Sequence, residues 1–118
     1  MNAKLPKDDR KFSWTSHIKM KMAYYRLSEQ RIRRVFRSPL RHEEGIAPGT
    51  IAAMQPAGTS KKTEIWLMYQ PLGKGSVRMV SAWRYPGITK PGTPIPIPNE
   101  IQEELAALFQ EKITGNSI

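Results

Sequence analysis

The feature that most constrains the fold is a change of pattern after Gly45, where helical spacing gives way to short β-prone segments. These segments are TIAAM (50–54), EIWLMYQ (64–70) and VRMVSAWRY (77–85), and the turn-forming stretches PAGTSKK and PLGKG separate them. Short apolar runs bounded by Gly and Pro are typical of an antiparallel meander. EIWLMY is apolar at successive positions, so both of its faces should be buried, and we expect it at the centre of the sheet.

Two helices are predicted before this sheet, over residues 17–26 and 29–37, because apolar residues recur there at the helical interval. Thr15 or Ser16 is a suitable N-cap for the first helix, and Ser28 is a suitable N-cap for the second. Each cap supplies a side-chain oxygen to backbone N–H groups that a helix leaves unpaired.

The remainder of the chain predicts an arm and a last helix. The proline-rich stretch PGITKPGTPIPIP should form an extended connection over 87–98, and Asn99 should begin an amphipathic helix over 99–114. The predicted fold class is therefore α+β: two N-terminal helices packed on a small antiparallel sheet of three or four strands, followed by the arm and the C-terminal helix. The length of 118 residues predicts a single domain over 1–118.

Positive charge is concentrated at one end of the chain. Residues 1–41 hold 12 of the 19 Lys and Arg against three acids, whereas residues 42–118 hold seven bases and seven acids. The whole net charge of +9 thus lies in the first third. This imbalance favours a polyanionic partner, such as nucleic acid, an anionic membrane surface or an acidic protein, although a solvated helical face is the commoner origin of a charge run.

Several classes of function have no support in the sequence. The chain has no cysteine, no apolar run near the roughly 18 residues of a membrane span, and no apolar stretch at its N-terminus. We therefore expect a cytoplasmic protein without a membrane partner. No His or acid spacing resembles a metal site, and no glycine-rich phosphate loop or nucleophile motif is present, so no metal or cofactor is expected.

One candidate site lies on the first predicted helix. His17, Lys21 and Tyr24 fall within a narrow sector at about 100° per residue. An imidazole, an ammonium and a phenol can cleave RNA without a metal, because one group takes the 2′-OH proton, a cation neutralises the phosphorane, and an acid protonates the leaving oxygen. The alternative is a half-buried structural histidine beside packing tyrosines.

A second candidate is the pair of acids next to the other histidine. His42 precedes Glu43 and Glu44 in a segment that the sequence predicts to be a loop. These three residues could act as a base and its orienting group. Surface charge on a loop is the alternative explanation.

A third candidate lies on the last predicted strand, where Arg84 is flanked by Trp83 and Tyr85. An arginine beside aromatic residues can bind a phosphate while a ring stacks on a base, or it can simply cover exposed rings. Strict alternation along this strand would give two faces. One face would carry Arg78, Val80, Ala82 and Arg84, and the other would carry Val77, Met79, Ser81 and Trp83.

Two segments resemble the RelE/BrnT-like small ribonuclease toxins of the barnase, EndoU, colicin and RelE superfamily. The resemblance is to an uncharacterised branch of that group. HIKMKMAYYRLSEQRIRRVFRSP resembles the opening two helices, and VRMVSAWR resembles the last strand of BrnT-type toxins. The similarity spans about residues 14–86. The matching positions are His17, Lys21, Met22, Leu27, Ser28, Ile32, Val35, Phe36 and Pro39 in the first segment and Val77, Arg78, Met79, Val80, Ser81, Ala82 and Arg84 in the second.

The resemblance implies a metal-independent endoribonuclease, the toxin of a toxin–antitoxin pair, with RNA (including ribosome-bound mRNA) and an acidic antitoxin as partners. The expected catalytic residues are His17, Lys21, Arg84, Tyr24 and Glu43. The expected RNA-binding residues are Arg26, Arg31, Arg33, Arg34, Arg37, Arg41, Trp83 and Tyr85. Two alternatives are a noncatalytic RNA-binding or ribosome-associated module and an interaction domain whose C-terminal helix seals an oligomer.

Overall fold

A computed structural model of the chain describes the backbone of residues 5–116 and the side chains of residues 5–109. Over that part of the chain the protein is α+β, with three helices and a five-stranded mixed sheet. In chain order the elements are β1 (Phe12–Trp14), α1 (Ser16–Tyr25), α2 (Glu29–Arg37), β2 (Arg41–Glu44), β3 (Ile51–Ala57), β4 (Thr63–Gly73), β5 (Ser76–Tyr85) and α3 (Asn99–Asn116).

The strands lie in the order β1-β5-β4-β3-β2, with β1 parallel to β5 and every other pair antiparallel. The meander of β3, β4 and β5 was predicted, and β4 lies at the centre as its apolar sequence indicates. The prediction of three or four antiparallel strands is wrong in detail, because β1 and β2 join the two edges. Each is short, and β2 (RHEE) is a charged edge strand that has no apolar pattern.

The two N-terminal helices are present, and their caps follow the sequence. Thr15 Oγ1 accepts a hydrogen bond from Ile18 N at 3.0 Å, and Ser28 Oγ accepts one from Arg31 N at 3.0 Å. Arg26, with φ 57°, ends α1 in the left-handed region and reverses the chain toward α2. The predicted last helix is also present and begins at Asn99.

The sheet is covered on both faces. On the helix-pair face, α1 and α2 pack on the sheet through Ile18 and Ile32, which are fully buried. On the other face, called the arm face, the proline-rich arm and α3 cover the sheet through Ile101 and Leu105. The core of the arm face also holds Trp66 and Trp83, whose rings are stacked with centroids 6.1 Å apart.

A β-bulge in β5 decides which side chains reach which face. Met79 lies opposite Tyr69 and Ser81 lies opposite Met68, so Val80 is an extra residue in the ladder. Strict alternation was the prediction, and it is wrong at this point. Val80, Ser81 and Trp83 therefore lie on the arm face, whereas the residues before the bulge and after it, Met79 and Ala82, both pack on the helix-pair face.

A buried polar network holds the arm against the sheet. Glu64, which is 1% exposed, accepts hydrogen bonds from Thr89 N at 2.7 Å and from Trp66 Nε1 at 3.0 Å. Arg41 donates to Thr93 O at 2.8 Å and to the Thr89 hydroxyl at 2.5 Å. None of the helices in residues 5–116 has the length and apolar character that a membrane crossing requires.

Candidate functional site

An open pocket of about 380 Å³ lies on the helix-pair side, between the α1–α2 connection and the ends of β3 and β5. Three arginines line it: Arg26, Arg31 and Arg84. Ser28 and Gly58 line it as well. We call this cavity the arginine pocket.

Local folding brings the three arginines together from separate parts of the chain. Arg26 is the left-handed residue that ends α1, and Arg31 lies in the first turns of α2. Arg84 comes from the end of β5, where the bulge at Val80 places it on the helix-pair side. Its Nη2 donates a hydrogen bond to the carbonyl of Tyr25 at 3.2 Å, which ties the strand end to the end of α1.

No acid among the described side chains neutralises the charge of the arginine pocket. Among the side chains that the structure describes, no acid forms an ion pair with Arg26, Arg31 or Arg84. The Nε of Arg31 is buried and has no hydrogen-bond partner within the described chain. Burial lowers the pKa of Arg31, and the positive charges of Arg34 and Arg84 lower it further. Such a cluster is suited to binding an anion.

The turn after β3 shapes the opposite wall of the pocket and requires a glycine. Gly58 has φ 84°, and a Cβ atom at this position would lie 2.2 Å from the carbonyl oxygen of Lys61. The same turn carries Lys61 and Lys62, and both side chains are exposed. These two lysines add positive charge to the turn that forms this wall. Sequence reasoning missed this wall; its signal was a glycine followed closely by two lysines in a predicted turn.

A second basic cluster surrounds His17, on the side of α1 that meets Ser81 and the α3 helix of the arm face. The Nε2 of His17 is 2.7 Å from Ser81 Oγ, and its Nδ1 is 3.7 Å from Glu104 Oε1. The Nζ of Lys21 is 2.7 Å from the same Glu104 oxygen. Glu104 Oε1 accepts no hydrogen bond with good geometry from the described residues. Its contact with the Lys21 ammonium is therefore an ion pair. The carboxylate comes from α3, and local sequence gave no signal of it.

Burial lowers the pKa of His17, and the ammonium of Lys21 lowers it further, while Glu104 opposes both. The neighbouring Tyr24 is 68% exposed, and its ring centroid is 5.8 Å from Lys21 Nζ. His17, Lys21 and Tyr24 therefore share one side of α1, as their spacing predicts. Arg84 lies at the arginine pocket, bonded to Tyr25 at the far end of α1 from His17, so the structure does not bring the two into one constellation.

Two of the residues predicted to contact RNA are buried. Arg41 is 4% exposed, pairs with Glu43, and lies 5.0 Å from the ring centroid of Trp66. Trp83 is 0% exposed and donates from Nε1 to Pro96 O at 2.9 Å. The expectation that these two side chains contact RNA is corrected, because both belong to the interior of the arm face. Glu43 lies on β2, at the opposite edge of the sheet from α1.

The other predicted residues are divided between surface and structure. Arg34 and Arg37 are exposed on α2, whereas Arg33 pairs with Glu29 and Asp9 and so stabilises the N-terminal segment. Tyr85 is half-buried and packs against the core of the arm face. Of the predicted RNA-binding set, the arginine pocket gathers Arg26 and Arg31.

The side chains of residues 5–109 contain no group of three or more His, Asp or Glu arranged to hold a metal ion. The chain has no match among protein-family models, curated proteins or solved structures. The candidate site therefore stands on its own geometry: three arginines from three segments, open to solvent and without an acidic partner in the described chain.

Proposed function

We propose that the chain is an RNA-binding module that holds phosphate groups in the arginine pocket. The observation that carries this proposal is the convergence of Arg26, Arg31 and Arg84 on one open cavity without an acidic partner among the described side chains. Burial lowers the pKa of Arg31, and the nearby positive charges of Arg34 and then Arg84 lower it further. A bound polyanion would relieve the repulsion between these positive charges.

Arginine is the side chain suited to this role, because its planar guanidinium donates two parallel hydrogen bonds to phosphate oxygens. The exposed Arg34 and Arg37 extend the positive surface from the arginine pocket along α2. RNA is preferred over other polyanions because two segments of the chain resemble RelE/BrnT-like ribonuclease toxins. The two helices and the antiparallel meander that this resemblance implies are present here, together with the edge strands β1 and β2.

A toxin-like endoribonuclease is the second candidate, and the environment of His17 favours it. Burial lowers the pKa of His17, which favours the neutral imidazole that can accept a proton, and Lys21 and the exposed Tyr24 lie beside it. Against this candidate, Glu104 occupies the position beside Lys21 where a phosphate would bind. The geometry therefore supports the noncatalytic module better.

The binding proposal is tested by fluorescence anisotropy with a labelled single-stranded RNA. Arg31→Gln combined with Arg84→Gln should weaken binding by about tenfold or more and reduce the salt dependence by about 0.7 per lost phosphate contact. The matched control is Lys74→Gln with Arg78→Gln, which removes two charges away from the arginine pocket. Equal losses in both double variants would contradict the placement.

Cleavage is tested with the same RNA, without divalent metal, alone and with ribosomes. The second candidate predicts 2′,3′-cyclic phosphate ends from the wild type and none from His17→Ala. RNA that stays intact with the wild-type protein in both conditions would reject the ribonuclease and leave the binding module. If the chain is a toxin-like ribonuclease, an acidic antitoxin is its expected protein partner.

A further inference from the structure

The arginine pocket is bounded on two sides and is otherwise open to solvent. It is walled by the α1–α2 connection on one side and by the turn at Gly58 on the other. By contrast, the exposed Arg34 and Arg37 lie in a row along α2, as a continuous strand would require. We propose that the arginine pocket takes a phosphate monoester at the end of an RNA strand, in preference to an internal phosphodiester. This inference rests on the proposed RNA binding.

Charge favours the monoester. A terminal phosphate carries between about one and a half and two negative charges at neutral pH, whereas a phosphodiester carries one. Coulomb attraction is proportional to the charge of the ligand, so three arginines without an acidic partner among the described side chains gain more from the terminal group. The cluster around Lys21 differs in this respect, because Glu104 already supplies a carboxylate.

The hydrogen-bond donors also match the monoester. It presents three terminal oxygens, and a diester presents two. Arg84 uses Nη2 for the Tyr25 carbonyl, and its other N–H groups have no protein partner within the described chain. In the helix cap, Ser28 Oγ accepts a hydrogen bond from the backbone N–H of Arg31. The hydroxyl proton of Ser28 can therefore be donated to an anion.

The size of the cavity is consistent with this assignment. About 380 Å³ accommodates a phosphate together with part of the attached nucleotide, and the open side leaves a path for the rest of the strand. Ala57 and Gly58, at the end of β3, are small residues at the wall and leave room for a sugar. The charged end would then contact the arginines while the chain leaves toward α2.

The experiment uses one short RNA sequence, labelled internally, in three forms: a 5′-phosphate, a 3′-phosphate, and hydroxyl groups at both ends. Affinities for the wild-type protein are measured by anisotropy. One phosphorylated form should bind about tenfold more tightly than the hydroxyl form. A preference for the 5′-phosphate or for the 3′-phosphate would each support the proposal and would identify the end that is bound.

Variants locate the preference. Arg31→Gln and Arg84→Gln should each abolish it, and Arg31→Lys should retain part of it because charge is kept while the planar donor pair is lost. Arg78→Gln, on the same strand as Arg84, is the matched control and should leave it unchanged. Circular dichroism of each variant confirms that the fold is intact.

Two outcomes would overturn the inference, and they are distinguishable from failure of the proposed function. Equal binding of all three RNA forms, still dependent on Arg31 and Arg84, would reject the terminal phosphate and keep RNA binding. A preference for the phosphorylated RNA end that persists in Arg31→Gln would show that the terminal phosphate binds at another site. Absence of binding in every form would reject both proposals.

Discussion

The protein has two basic clusters, and they differ in what neutralises them. The cluster on the arm face holds His17 and Lys21 within reach of Glu104, so its charge is matched inside the fold. The arginine pocket on the helix-pair side holds Arg31 and Arg84 with no acidic partner among the described side chains. A positive residue that forms an ion pair within the fold has a structural role. Positive residues that line a cavity without an acidic partner are available to bind an anionic ligand.

The comparison also separates the aromatic residues by role. Tyr24 is 68% exposed beside Lys21, whereas Trp83 is fully buried between the sheet and the arm. Both were expected from sequence to contact RNA or to assist its cleavage. Only the exposed ring can contact a ligand without opening the core.

The largest predicted effect belongs to Trp83→Ala. Removal of this buried ring should lower the free energy of unfolding by about 3–5 kcal/mol, because it leaves a cavity beside Trp66. Tyr24→Ala, the exposed comparison, should change it by about 0.5 kcal/mol or less. Urea denaturation measures both. If Trp83→Ala lowered the free energy of unfolding only slightly but abolished RNA binding, the prediction would be wrong and Trp83 would belong to the RNA-binding surface.

The next effect concerns the matched cluster. Glu104→Gln should lower the free energy of unfolding by about 1 kcal/mol, because Lys21 is 8% exposed and loses the ionic partner while Glu104 itself is partly solvated. Arg31→Gln should have the opposite or no effect, since it removes repulsion from Arg34 and Arg84. Denaturation of the two variants side by side would contradict the comparison if both were equally destabilised.

The pH dependence of stability should show a smaller effect from His17. Burial holds the pKa of His17 below its ordinary value of 6.5, so the unfolded chain binds a proton more readily than the folded one. The contribution of His17 is thus complete above about pH 6.5 and is lost as the pH falls below it.

His17→Gln should reduce the loss of stability between pH 7.5 and pH 5.5, as measured by urea denaturation at each pH. His42→Gln, which alters the histidine bonded to Tyr69, is the control and should retain the wild-type loss. A pH dependence that is unchanged in His17→Gln would show that the imidazole is not the group responsible.

The helices and the central strands could be predicted from local sequence, because caps and apolar spacing act within a few residues. Thr15 and Ser28 begin the helices as their side chains indicate, and the apolar run in β4 lies at the centre of the sheet. The edge strands could not be predicted, because Phe12–Trp14 and Arg41–Glu44 are short and their pairing is set by distant partners.

The candidate site was predicted only in part, for the same physical reason. The bulge at Val80 depends on the register of β5 against β4, and it switches residues 81–84 to the face opposite to the one that strict alternation predicts. The pairing of Glu104 with Lys21 joins positions far apart in the sequence. Sequence singled out Arg26 and Arg31 as RNA-binding and Arg84 as catalytic, and it did not indicate that the fold gathers all three at one pocket.

The most direct test of the central claim is a titration of ¹⁵N-labelled protein with a short single-stranded RNA, followed by backbone amide NMR. The account predicts shifts at the wall of the arginine pocket, at residues 26–31, 57–58 and 84, while residues 17–21 and Glu104 stay unchanged. Shifts centred on His17, Lys21 and Glu104, with residues 26–31 unaffected, would contradict it.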